Sequence, residues 1–399
     1  MSTSQIMNTE KLREKYVAWW TVAILTVPVI LDFIFFGTQI ARLSRVIIFA
    51  GVLASFLTNH KLFMKSKMVG QYSVFSVASV YVIGTVSDLS YGGVLTPNFV
   101  LLLLFLVLTA TNMDLYKRYL DATIKSFHLI TALSAVAIVL KLNPRGYYAS
   151  AEGYPVYLDF IGIPGRNYGI LPHPNSLGQV ASISFLIMLT AKANKLLWLI
   201  PIFCIAKCGS RTALIGIGVS LVVHFTIWML RRNKSKRKSA VLESPIAIGA
   251  FIVGIFLASS AQFLSFIGLL DPNALTARVS IWQNSLTIFQ QSQLFGTGWG
   301  WEFRAVQAQL LNVWATSAHN AILDIVFSTG FAGLTIFLIL MAKVFVYFKF
   351  LSEPEKLIFC FLIASGISET FVDLQYPTIQ TYAFFLIVVG SNRKASIID

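Results

Sequence analysis

Long apolar runs alternate with short polar breaks along almost the whole of this chain, from about residue 17 to residue 391. The runs repeatedly reach the roughly 20 residues that carry an α-helix across a bilayer. They lack the period-two alternation of membrane strands, and in lipid a lone segment pairs its whole backbone only as a helix. The pattern therefore predicts an all-α integral membrane protein and excludes a barrel. About twelve transmembrane helices are expected, near residues 17–36, 40–57, 69–87, 97–113, 124–141, 173–191, 195–208, 211–230, 245–267, 319–341, 357–373 and 377–391. No separate soluble domain or internal repeat interrupts them, so residues 1–399 read as a single polytopic membrane domain.

Two connections are long. Residues 142–172 contain "NPRGYYASAEGYPVYLDFIGIPGRNYGILP", with the glycines, prolines and tyrosines of an ordered loop. Residues 268–318, between the ninth and tenth spans, hold a structured outer loop: Leu275, Val279, Trp282, Leu286 and Phe289 recur at steps of four and three, the stripe of an amphipathic helix lying along the membrane surface. "GTGWGWEF" ends that helix, and four of the eight tryptophans fall in this loop.

Composition agrees with the pattern: 56% of residues are hydrophobic and 12% charged. The net charge of +14 would suit nucleic acid, but most basic residues sit in short clusters between alternate runs, "RRNKSKRK" being the densest. That distribution orients helices in a membrane and places both termini in the cytoplasm. The charged N-terminal segment leads into a full-length span without a small-residue cleavage site, which reads as a retained first helix. Arg42, Arg45, Lys141, Arg145, Arg166, Lys207, Arg211, Arg278 and Arg304 break the trend by falling on or near the outer side. Most of them are arginine, whose planar fork suits phosphate oxygens, so a polyanion at the outer face is expected. Cys204, Cys208 and Cys360 lie inside apolar runs and indicate neither a disulfide framework nor a zinc site.

His319, in "TSAHNAILD", heads the tenth span at the outer interface. An imidazole there suits a general base for a hydroxyl, or an interfacial residue that merely bonds a loop. Arg211, in "CGSRTALIG", stands at an outer turn, and Arg278 lies on the loop helix leading to His319. Both are costly in such places without an anionic partner, and a lipid-linked pyrophosphate would satisfy the two together. There is no Asp-x-Asp, no phosphate loop, no nucleophile elbow and no Cys/His ligand set, so no metal is expected and arginine must take its place. The tryptophans and the tyrosines around 147–157 suit either sugar stacking or an interfacial belt. "HPNSLGQ", with Pro174 in a first helical turn, suits either a site or a structural helix entry. Mid-span ionisable residues are few, chiefly Asp32, His224, Asp324 and Glu369. A glycan flippase, the reading from another class, would need such residues lining a central cavity.

In order along the chain, "GRNYGILPHPNSLG", "SRTALIG", "RVSIWQNSLTIFQQSQLFGTGWG" and "HNAILDIVFSTGFAGL" resemble the O-antigen ligase and Wzy-type O-antigen polymerase superfamily over residues 160–340. The resemblance implies a GT-C-like, metal-independent, inverting glycosyltransferase of the bacterial cytoplasmic (inner) membrane, with its active site on the outer face. It would move a glycan from undecaprenyl pyrophosphate, with no cofactor, to an acceptor hydroxyl. Residue by residue, it implies His319 as general base and Arg211 and Arg278 as the pyrophosphate grip. Arg166, His173, Asn175, Asn320, Trp299 and Trp301 are further candidates for substrate contact, with Asn320 equally suited to cap its helix. The expected partners are a lipid-linked oligosaccharide donor, a glycan or lipid acceptor, and other polysaccharide assembly proteins. The same motifs serve a polymerase and a ligase; the outer loops carry no mark of a site for a bulky anionic lipid A core, which favours the polymerase.

Overall fold

The computed structural model describes residues 71–90, 113–142, 167–191, 194–233, 272–299, 318–366 and 378–395, with isolated positions in 22–34 and at 102, 106, 107, 249, 301 and 369. The described residues are helical and form no strand. In chain order the helices are α1 (Gln71–Ser90), α2 (Met113–Val139), α3 (Pro174–Thr190), α4 (Leu199–Cys208), α5 (Arg211–Asn233), α6 (Pro272–Phe289), α7 (Ala321–Val346), α8 (Glu353–Ser365) and α9 (Ile379–Ala395). Among the described residues, three stretches are long and apolar enough to cross a membrane: Tyr116–Val139, Arg211–Met229 and Ala321–Val346. The spans expected at 40–57, 97–113 and 245–267 lie outside the described residues, apart from positions 102, 106, 107, 113 and 249.

The helices sort by how they meet their surroundings. In α8, "KLIFCFLIAS" is buried on every side, from Lys356 through Ser365, as a helix apolar all round must be. It lies against α3, α5 and α9. Phe361 fits over Gly216 of α5, where a β-carbon would stand 2.6 Å from the ring. By contrast α5 turns Val222, Phe225 and Trp228 outward, the face expected to meet lipid. Helix α2 begins well before the span expected at 124–141, because its polar first turns continue the helical stripe. Tyr116, Tyr119, Ala122 and Ser126 are buried at steps of three and four, while Asp121 and Lys125 pair at 2.6 Å on the exposed side. The seventh expected span, 195–208, is a single 3-10 turn followed by the 10-residue α4, well short of the roughly 20 residues of a straight crossing.

Helix α7 is broken at Gly330, whose φ of 66° and ψ of −166° are not helical. An unbroken helix would bond Phe331 N to Phe327 O and Ala332 N to Ser328 O. Instead residues 293–298, "QLFGTG", enter the break: Thr297 N and Gly298 N donate to Phe327 O and Ser328 O at 2.9 Å, and Phe331 N and Ala332 N donate to Gln293 O and Leu294 O at 3.0 Å. Each orphaned backbone group thereby regains a partner, which non-helical backbone in an apolar bundle requires. Beyond the break, Ser87 of α1 donates to Phe295 O at 2.8 Å, and Trp299 donates to Tyr81 O at 3.3 Å while stacking on its ring.

The end of the bundle far from His319 is closed by a polar knot. Tyr116 donates to the fully buried Glu355 carboxylate, which also accepts from Ser352 N at 2.6 Å and completes a capping box for α8. His224 and Lys356 both approach Glu353, at 3.4 and 3.6 Å.

Candidate functional site

Three helix ends that are far apart in sequence meet around His319. Its ring Nδ1 lies 3.4 Å from Glu369 Oε2. The other oxygen of the same carboxylate accepts a hydrogen bond from Asn175 Nδ2. Glu369, just past the end of α8, is only 7% exposed, whereas the His319 side chain is 27% exposed. The carboxylate is the more buried of the two groups, and an imidazole tautomer with its proton on Nδ1 would donate to Glu369.

His319 itself sits at φ 49°, a left-handed conformation that costs a non-glycine residue about 1–2 kcal/mol and is kept where the surroundings impose it. Those surroundings are specific. On the preceding residue, Ala318 N donates to Asp324 Oδ1 at 2.9 Å and Ala318 O accepts from Trp282 Nε1 at 2.7 Å. On the following side, Asn320 caps α7, its Oδ1 accepting from Ile322 N and Leu323 N at 3.0 Å. Ala321 N reaches Gly366 O at 2.8 Å, fastening the start of α7 to the end of α8.

The start of α3 contributes the third wall. His173 is its N-cap, with Nδ1 accepting from Asn175 N at 3.1 Å, and Pro174 fills the first helical position. Four residues on from Pro174, Gly178 lets the start of α5 come close: a β-carbon there would be 2.5 Å from Ser210 Cβ and 3.0 Å from Ala213 Cβ. Arg211, half-buried, opens α5 at that contact. Ser210 Oγ accepts from Ala213 N at 3.3 Å, and Gly209 ends α4 in the left-handed conformation that makes the turn. The first turns of α3 thus touch both the Glu369–His319 pair and the helix that Arg211 begins.

Arg278 lies within α6, but its side chain and the whole of Arg166 fall outside the described residues. Among the described side chains of α6, Ser285, Ile288 and Phe289 are buried and Trp282 is half-buried. Leu286, on the expected apolar stripe, is 46% exposed. Trp299 and Trp301 are both buried; Trp301 meets Phe327 edge-on at 5.0 Å. Both indoles fasten the loop to α1 and α7. Among the described residues no group of three His, Cys, Asp or Glu is placed to hold a metal.

Glu369 is the site residue that sequence reasoning assigned elsewhere. An ionisable residue in "SGISETFVD" stood out, but as a cavity-lining group of a transporter. Of its companions, Asp324 serves the Ala318 amide and His224 faces Glu353 at the other end; Asp32 lies outside the described residues.

Residues 196–338 match the family model described as O-Antigen ligase. The segment includes Arg211, Arg278 and His319 but not Asn175 or Glu369. The General O-oligosaccharyltransferase of Acinetobacter baylyi is 27% identical over 251 residues, covering 56% of this chain. The chain spans 42% of that relative's length. No solved structure matches. Arg211, Arg278 and His319 therefore stand within the segment, residues 196–338, over which this chain is similar to the O-antigen ligase family.

Proposed function

We propose that this protein transfers a glycan from undecaprenyl pyrophosphate to an acceptor hydroxyl at the outer face of the bacterial inner membrane, as a metal-independent inverting glycosyltransferase of surface-polysaccharide assembly. It does so in a bundle of twelve spans with both termini in the cytoplasm. The observation that carries this reading is the contact between Glu369 and His319 at 3.4 Å, inside a ring of helix ends that also seats the start of α5 with Arg211. His319 takes the proton of the acceptor hydroxyl, its oxygen attacks the anomeric carbon, and the bond to pyrophosphate breaks with the electron pair leaving on the phosphate oxygen. Arg211 and Arg278 stabilise the departing charge, which is all the leaving group requires. One displacement inverts the anomeric centre. The divergent partners of Glu369, Asp324 and His224 support an enzyme over a flippase, which would gather such groups in one cavity.

The acceptor divides the family's two activities. The names of the matched family and of the curated relative, a ligase and an oligosaccharyltransferase, favour transfer to a terminal acceptor. The outer loops, with no mark of a lipid A core site, favour a polymerase that uses a second lipid-linked repeat. The test supplies the purified protein and its His319→Ala variant with a lipid-linked oligosaccharide repeat as the only sugar substrate, then with an added acceptor, and separates the products by size. Transfer should be lost in His319→Ala at unchanged protein amount; transfer at the native rate would reject the proposed base. A ladder of repeat multiples without added acceptor identifies a polymerase, and a single product appearing only with acceptor identifies a ligase.

A further inference from the structure

We propose that Trp282 is a positioning residue for His319, tying the base to the loop helix that carries Arg278. The inference rests on the reading of His319 as the base. Trp282 Nε1–H donates to Ala318 O at 2.7 Å across 36 residues of chain, so the indole holds the carbonyl of the peptide bond that leads into His319. That peptide bond sets a left-handed residue, at φ 49°, and such a residue stays put only while its neighbours are held. The other restraints, Asp324 on Ala318 N, Asn320 at the head of α7 and Gly366 under Ala321, come from α7 itself and from the end of α8. Among the described side chains of α6, Trp282 makes this contact.

Its place on α6 gives the contact its meaning. Trp282 follows Arg278 by four residues, about one turn and 6 Å along the helix axis. Its ring packs on the cluster of Ile288, Phe289, Trp301 and Phe327 that seats α6 on α7. A shift of α6 is therefore carried through a rigid indole to the His319 peptide, and the base is aligned when the helix bearing the phosphate-gripping arginine is seated. Losing the N–H leaves the Ala318 carbonyl unheld, so the peptide can turn, His319 can relax toward negative φ, and its ring leaves Glu369.

The test compares full-length native protein with the Trp282→Phe, Phe289→Leu and His319→Ala variants in detergent, using an undecaprenyl-pyrophosphate-linked oligosaccharide as donor. Trp282→Phe keeps an aromatic ring in the cluster and removes the N–H. Phe289→Leu loosens the same cluster without touching Ala318. For Trp282→Phe we expect kcat to fall by roughly 10- to 100-fold with donor KM changed by less than about 3-fold, the signature of a displaced reacting group. We also expect a faster carbethoxylation of His319 by diethyl pyrocarbonate, read by mass spectrometry. Phe289→Leu should melt earlier yet keep kcat and the His319 modification rate. Native kcat and modification rate in Trp282→Phe overturn the proposal, as does an equal loss of kcat in Phe289→Leu, which would make α6 docking in general responsible. Native transfer by His319→Ala would remove the base itself, whereas an inactive His319→Ala beside a fully active Trp282→Phe rejects the positioning role alone.

Discussion

Gly296 and Gly330 lie backbone against backbone where the loop after α6 enters the break in α7. A β-carbon on Gly296 would stand 2.5 Å from the Gly330 nitrogen, and one on Gly330 would stand 2.5 Å from the Gly296 nitrogen. Both residues have positive φ, 71° and 66°. The joint supports the first turns of α7, at whose head His319 sits, and it binds them to the loop and to α1.

Gly296→Ala and Gly330→Ala should therefore each destabilise the protein by more than about 2 kcal/mol, since left-handed strain adds to a clash with backbone that has no side-chain freedom to yield. Thermal unfolding of the detergent-solubilised protein checks this. A native melting temperature in either variant would mean that the loop does not enter the helix.

Glu369→Gln should lower transfer by roughly 10- to 100-fold at equal protein amount, because a neutral amide holds the imidazole less firmly than the carboxylate does. Asn175→Asp should be comparably harmful. It replaces the amide donor with a second carboxylate within hydrogen-bond reach of Glu369, and two such groups share a proton instead of both being charged. Turnover at saturating donor is the measurement, and native turnover in both variants would take Glu369 out of the site.

Arg211→Lys and Arg278→Lys should restore little donor binding, because one ammonium does not reproduce a two-pronged contact with phosphate. In the same assay, transfer should survive chelator, the charge of pyrophosphate being met by arginine and not by a divalent ion. Tight donor binding by the lysine variants, or activity lost on chelation and restored by magnesium or manganese, would contradict this account.

At the opposite end, Tyr116→Phe removes one donor from the buried Glu355 carboxylate and should cost about 1–3 kcal/mol of stability. Turnover per folded molecule should stay native, since Glu355 belongs to the knot far from His319. A melting temperature equal to that of the native protein would show that Ser352 alone satisfies the carboxylate.

Much was legible in the sequence because insertion in lipid is decided run by run. Each apolar stretch must satisfy its own backbone, so α1, α3, α5, α7 and α9 begin within about two residues of where the apolar pattern starts them. The same local logic identified Pro174 in a first turn and made Asn320 a candidate cap. Helix α2 escaped because its polar opening turns resemble a connection until α8 and α9 are there to cover their buried side.

What the tertiary structure alone decided is which ends meet. Asn175 and Glu369 are separated by 194 positions, and a contact at that range leaves no period, spacing or cap in the sequence. The same holds for "QLFGTG" and "STGFAG", whose glycines look like ordinary breakers until one segment fills the broken hydrogen bonds of the other. Composition and periodicity determined that this chain is a helical membrane protein with a histidine at the mouth of a span. Only packing turned that histidine toward a buried carboxylate, because a carboxylate beside a half-open imidazole exists only once two helices have brought their ends together.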